Sequence, residues 1–186
     1  FKQKTAYEIM PSLVGSEMCI RDRKYPIKIK DIHSILPWES SGNTIALKSK
    51  TTGMWLFFSP RGKLLWIDLG GGGTKIAQDT SLAVRWTNRK CGLADIEQGK
   101  YLWKEEGYDI TCGTISYDGT MVAFVGKGWR TGPREGIVVW DTNRRLLAKI
   151  PLKTDKVTEI GFDPTGAMFY IIKGTELYIY HTDDWR

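Results

Sequence analysis

ISYDGTMVAFVGKGWRTGPREGIVVWDTNRRLLAKI, residues 115–150, decides the fold. It opens on a turn, Tyr117-Asp118-Gly119, followed by a short apolar run from Met121. After a long loop comes a second apolar run ending in Trp140-Asp141, then a polar turn and a third run to Ile150. Short runs rich in Val, Ile, Phe and Trp, bounded by Gly, Asp and Asn, read as strands covered on both faces.

The same frame recurs along the chain, and recurrence is the signature of a repeat architecture. Downstream, FDPTG-AMFYIIKG-TELYIYHT repeats it, with the stretch Gly126 to Glu135 as an insertion in the earlier copy. Upstream, WESSG-NTIALKS-KTTG-MWLFF-SPRG-KLLWI aligns Ile45, Ala46 and Leu47 with Val122, Ala123 and Phe124. Between them, SLAVRW-TNRKCG-LADIEQGK-YLWKE follows the upstream copy at a constant offset. That offset sets Ala83 on Ala46, Gly99 on Gly62 and Trp103 on Trp66. The second strand of each unit is thus expected to open near residues 45, 82, 122 and 169.

This frame resembles the WD40 repeat, in which a Phe-Ser-Pro-Asp-Gly turn precedes one strand and Val-Trp-Asp closes the next. The resemblance departs from that pattern in places. Neither His33 nor His181 follows a glycine, and Phe57, Ala94 and Tyr180 stand where Trp140 stands in its own unit. It implies an all-β fold, a partial β-propeller of about four four-stranded antiparallel blades. The blades are expected at 31–68, 69–106, 107–150 and 151–186, in a ring whose full complement is about seven. One such sheet cannot bury both faces alone, so the blades must stack radially. Blade 2 is expected to lack a good first strand, because Gly70 to Gly73 occupy that place. Lys24 to Lys30 are expected to form the outer strand of a preceding blade.

Residues 1–23, FKQKTAYEIMPSLVGSEMCIRDR, resemble a translated sequencing-library adapter. Lys2 to Glu8 match the primer codons AAG CAG AAG ACG GCA TAC GAG. Leu13 to Asp22 match CTC GTG GGC TCG GAG ATG TGT ATA AGA GAC. The resemblance implies a non-native segment from which no function, Cys19 included, should be read. It implies also that the native N-terminus, with any targeting signal, is not in this sequence; a cytoplasmic protein is the default expectation.

The formal charge is +6. Without residues 1–23 the chain keeps 23 basic and 18 acidic residues, a mild balance of +5. No dense basic stripe of the kind a nucleic-acid surface carries is present, so nucleic acid is not the expected partner. No stretch approaches the ~20 apolar residues of a membrane helix.

Chemistry-bearing motifs are sparse. Gly70-Gly71-Gly72-Gly73-Thr74-Lys75 suggests a phosphate loop, but that loop needs Gly-Lys-Ser/Thr and a following helix; a flexible connector is expected. Cys91 and Cys112 have no Cys-x2-Cys partner and read as free thiols rather than zinc ligands. Asp118, Asp141 and Asp163 sit in turns, where Asp bonds its own backbone. No nucleophile-base-acid set, cofactor site or metal site is recognisable.

The best binding candidate is the inserted loop Lys127–Arg134. Its Trp129, Arg130 and Arg134 are residue types favoured at interface hot spots, and loops carry binding. The expectation is therefore a non-catalytic scaffold for a protein partner. The alternative is the propeller domain of a larger enzyme, such as a serine peptidase gate or a quinone-dependent dehydrogenase, whose catalytic part lies elsewhere. RNA-associated scaffolding is a third reading, resting on the mild basic balance alone.

Overall fold

The computed structural model describes residues 35–41, 44–49, 52–130 and 132–185. Among them are fifteen strands, one 3-10 turn and no α-helix. Four antiparallel sheets follow one another along the chain. The first holds β1 (Ile35–Ser41), β2 (Thr44–Ser49), β3 (Trp55–Phe58) and β4 (Leu64–Asp68). The second holds β5 (Gly73–Ile76), β6 (Leu82–Trp86), β7 (Lys90–Asp95) and β8 (Lys100–Glu106). The third holds β9 (Tyr108–Ile115), β10 (Met121–Lys127), β11 (Glu135–Asp141) and β12 (Leu146–Pro151). The fourth holds β13 (Val157–Phe162), β14 (Met168–Lys173) and β15 (Glu176–His181). Each strand pairs with its chain neighbour, and β1, β5, β9 and β13 approach one another in that order. The molecule is a partial, open β-propeller, and these sheets are its blades.

Side chains alternate across a strand, so a sheet apolar on both faces needs a neighbour on each side. Three cores meet that need. Between blades 1 and 2 lie Ala46, Trp55, Phe57 and Trp66 against Ile76, Ala83, Ala94 and Ile96. Between blades 2 and 3, Val84, Cys91 and Leu93 face Val122, Phe124, Val138 and Trp140. Between blades 3 and 4, Ala123, Val125, Ile137 and Val139 face Ile160, Phe169 and Ile171. Blade 3 is therefore covered on both sides: Val122, Ala123, Phe124 and Val125 are each 0% exposed.

The second strands open at Thr44, Leu82, Met121 and Met168, each within a residue of its expected start. Within blade 2, however, the constant offset conceals a change of face. Ala83 and Ala94 pair with each other and face blade 1, whereas their supposed counterparts Ala46 and Phe57 face blade 2. The true counterparts of Ala46 and Phe57 are Val84 and Leu93, which pair and face blade 3. The hairpin between the second and third strands is shorter in blade 2, displacing its two strands by one residue in opposite senses. A one-residue displacement turns every side chain to the other face. By the same pairing, the residue of blade 1 in the position of Trp140 is Phe58 rather than Phe57.

Two other expectations need correction. Blade 2 does have a first strand, β5, short and led by glycine. A side chain at Gly73 would meet the Trp86 ring at 2.1 Å, so glycine is there for close approach rather than for disorder. Blade 4 has three strands rather than four among the described residues. After β15 the chain winds into a 3-10 turn, Thr182–Trp185, and the Trp185 ring packs on Phe169 at 5.6 Å. Residues 1–23, Lys24 to Lys30 and His33 lie outside the described residues.

Phe124 sits in the middle of a doubly covered blade, its ring near Trp103 and Trp140. Phe124→Ala is expected to cost about 4 kcal/mol, the range for a buried Phe that leaves a cavity. Denaturant titration followed by tryptophan fluorescence measures it.

Candidate functional site

Antiparallel order divides the loops between two ends. One end carries the hairpins joining second to third strands and the connectors between blades; call it the connector end. The other carries the turns joining first to second and third to fourth strands; call it the turn end.

At the turn end the acidic residues have backbone work. Asp118 accepts from the Thr120 amide at 3.0 Å and the Ser116 hydroxyl at 2.7 Å. Asp141 accepts from the amides of Asn143 and Arg145 at 2.9 and 2.7 Å. Asp163 accepts from the Thr165 hydroxyl and the Met168 amide, and those bonds hold its carboxyl below the usual range. Asp95 does the same for Gln98 and Ser81. Together with Asp79, Glu97, Asp183 and Asp184 these carboxylates outnumber Arg61, Lys63, Lys100, Arg144 and Arg145 at that end.

The connector end has the opposite balance. Arg89, Lys90, Lys127, Arg130, Arg134, Lys153, Lys156 and Lys173 outnumber Glu106, Asp109, Glu135, Asp155 and Glu176. Its surface ion pairs are long: Lys90 and Arg130 share Glu106 at 3.7 and 3.6 Å, and Lys127 reaches Asp155 at 3.9 Å. Such pairs neutralise little of the field.

The inserted loop lies at this end, and its three candidate residues separate. Arg130 and Arg134 are exposed. Trp129 is not: it is 6% exposed, donates Nε1–H to the Gly136 carbonyl at 3.3 Å, and meets the Trp140 ring edge-on at 5.7 Å. An indole so placed anchors the loop and offers no surface. The signal was in the neighbouring glycines. A Cβ at Gly126 or Gly132 would come within 3 Å of the Trp129 side chain, so both leave it room.

Sequence reasoning missed a second feature, a buried charge cluster between blades 1 and 2. Arg85, on β6, donates Nε–H to Asp68 at 2.8 Å. Its other nitrogens donate to the carbonyls of Gly73 and Gly70, each at 2.7 Å. The Tyr101 hydroxyl donates to Asp68 at 2.6 Å, and the guanidinium stacks 5.2 Å from the Trp55 ring centre. Lys48 donates to the Gly72 carbonyl at 2.7 Å. The glycine run thus turns its carbonyls toward cations. A phosphate loop does the reverse, aiming its N–H groups at an anion. The visible signals were charges inside apolar strands, Arg85 in LAVRW and Asp68 in LLWID.

Burial by itself would raise the Asp68 carboxyl. Arg85, the Tyr101 hydroxyl and the Gly70 amide outweigh it and hold the carboxyl below the usual range. Burial, with Asp68 adjacent, pushes the Tyr101 phenol well above its own. Beside the cluster opens a cleft of about 170 Å³ rimmed by Lys90 and Lys104. It is smaller than the ~300 Å³ at which ligand pockets begin. A second polar clasp joins blades 2 and 3: buried Glu105 accepts from Arg144, and Trp103 donates to the Thr142 carbonyl at 2.9 Å.

Cys91 is buried and Cys112 half-buried, both as free thiols. Burial raises both, Cys112 to about 11, so neither is poised as a nucleophile. No group of His, Cys, Asp or Glu among the described residues is placed to hold a metal ion. Nor is any helix there long and apolar enough to cross a membrane.

No protein-family model matches this chain, and no curated protein matches it. A solved structure, the complex of KlAtg21 with coiled-coil of AgAtg16, contains a chain of similar fold. The TM-score is 0.62 at 12% identity, over 79% of this chain and 52% of that one. At that identity the likeness is of fold alone. The chain spans about half the length of the one it resembles.

Asp68→Asn is expected to cost about 3 kcal/mol at neutral pH, because it strands a buried guanidinium. The pH dependence follows from the lowered native carboxyl. The unfolded chain takes up the proton first, so the stabilisation is complete above the ordinary value of 3.8 and is lost as pH falls through the lower native one. Melting curves from neutral to acid pH should show the gap between wild type and Asp68→Asn narrowing below that value.

Proposed function

We propose that this chain acts as a non-catalytic, WD40-like propeller scaffold, and that its connector end binds an acidic segment of a protein partner. The single observation that carries this reading is the separation of charge between the two ends. Four of the turn-end carboxylates, Asp95, Asp118, Asp141 and Asp163, are accounted for by the turns they close. Among the described connector-end cations, Lys90, Lys127 and Arg130 make only long ion pairs, and they gather on the end where the inserted loop stands. Aligned charge of one sign draws an oppositely charged partner and orients it on approach.

Within that end, Arg130 and Arg134 are the residues proposed to meet the partner. They stand on a loop that Trp129 pins from beneath and that a bond from the Gly128 amide to the Arg134 carbonyl, 2.7 Å, draws closed. Residues anchored in this way lose little freedom on binding, which favours affinity. The similar structure is itself an assembly with a coiled coil, an instance of protein docking on this kind of fold.

A fluorescent glutamate-rich peptide tests the reading by anisotropy at low salt. Arg130→Glu with Arg134→Glu is expected to weaken binding at least about tenfold, and added salt to weaken wild-type binding steeply. Arg61→Glu with Lys63→Glu, at the turn end, is expected to leave it unchanged. Equal loss from both pairs, or none from either, contradicts the proposal.

A further inference from the structure

The cleft beside the buried cluster has a floor whose charges are met and a rim whose charges are not. Across β6, β7 and β8, Arg85, Gly92 and Lys104 stand in one row. Glycine puts no side chain between the other two, and a Cβ there would come within 2.4 Å of the Trp103 carbonyl. Arg85 and Lys104 both line the cleft, with Asp68 of blade 1 and Tyr101 beside them. On the floor, the Arg85 guanidinium donates to Asp68 and to the Gly70 and Gly73 carbonyls. Asp68 accepts in turn from the Tyr101 hydroxyl and the Gly70 amide. Floor cation and floor carboxylate therefore satisfy each other.

The rim holds two ammoniums in a different state. Lys104 is exposed, makes no ion pair among the described residues, and rests its ammonium 4.0 Å from the Tyr101 ring centre. Lys90 pairs with Glu106 across β7 and β8, one diagonal step from Lys104 on the same face. Diagonal neighbours stand about 7–8 Å apart, within reach of long side chains converging on one group. Lys90 reaches Glu106 at only 3.7 Å, and Arg130 takes that same carboxylate at 3.6 Å. The mouth of the cleft and the inserted loop therefore adjoin.

We propose that this cleft receives one carboxylate side chain of the acidic partner segment, held between the Lys90 and Lys104 ammoniums. The inference rests on the reading that the connector end binds such a segment, and it names where that segment is gripped. A volume of about 170 Å³ is too small for a separate ligand but has room for a single side chain. A concave mouth with protein walls concentrates the field of its cations more than an open surface does. When the incoming carboxylate takes Lys90, Glu106 keeps Arg130. Residues two apart in an extended segment, about 7 Å, can then meet the cleft and the loop together.

Anisotropy of the fluorescent glutamate-rich peptide at low salt tests this by removing the same charge from two places. Lys90→Gln with Lys104→Gln is expected to weaken binding about tenfold. Lys153→Gln with Lys173→Gln, at the same end but beside blade 4, is expected to weaken it less than about twofold. Adding peptide should also shift the amide resonances of Thr87 and Tyr101, which line the cleft, in the wild type but not in the Lys90 and Lys104 variant. Circular dichroism melts establish that both variants fold. Equal weakening by the two lysine pairs, or cleft resonances that stay still, overturns the seat and leaves the Arg130 and Arg134 reading standing. A peptide that the wild type does not bind overturns both.

Discussion

A sheet that is apolar on both faces cannot stand alone in water, and every consequence in this molecule starts from that constraint. At about 25 cal/mol per Å² of apolar surface buried, the face of a four-stranded sheet outweighs any single polar contact described here. The chain meets the constraint by repetition: each unit supplies one face to the unit before it and one to the unit after. Blade 3 shows the constraint fully satisfied, with Phe124 and Trp140 on one side and Val125 and Ile137 on the other.

The polar exceptions mark where adjoining blades are joined by more than shape. Arg85 stands where the neighbouring repeats place aliphatic or aromatic side chains, and it is tolerated because Asp68 and the glycine carbonyls receive its donors. This cluster joins the first two blades. Glu105 with Arg144 does so between the second and third. A buried pair of this kind adds little net stability over an apolar one, but it penalises any misaligned stacking that would leave a charge unpaired.

Much of this was legible in the sequence. The period was, because turn residues such as Asp118-Gly119 and Asp163 with Gly166 recur beside apolar runs, and those turns must stand where strands reverse. The facing of blade 2 was not. Ala83 and Val84 are both small and apolar, so nothing in their chemistry says which looks toward blade 1. Only the shortened hairpin after Trp86 settles it, and hairpin length does not show in an alignment anchored on Gly99 and Trp103. The candidate loop was found for its composition, while the inward turn of Trp129 was signalled only by Gly126 and Gly132, which leave it room. Arg85 was overlooked because a charge in a strand reads as solvent-facing until its partners, 15 and 17 residues away, are brought beside it.

Native-state hydrogen exchange, resolved to single strands, tests the stacking account most directly. Protection requires cover, so the account predicts a ranking: slow exchange in β6, β7, β10 and β11, whose blades are covered on both faces, and fastest exchange in β15. Equal protection across all four sheets, or slower exchange in β15 than in β10, would mean the sheets are not held by their neighbours, and the account would fail.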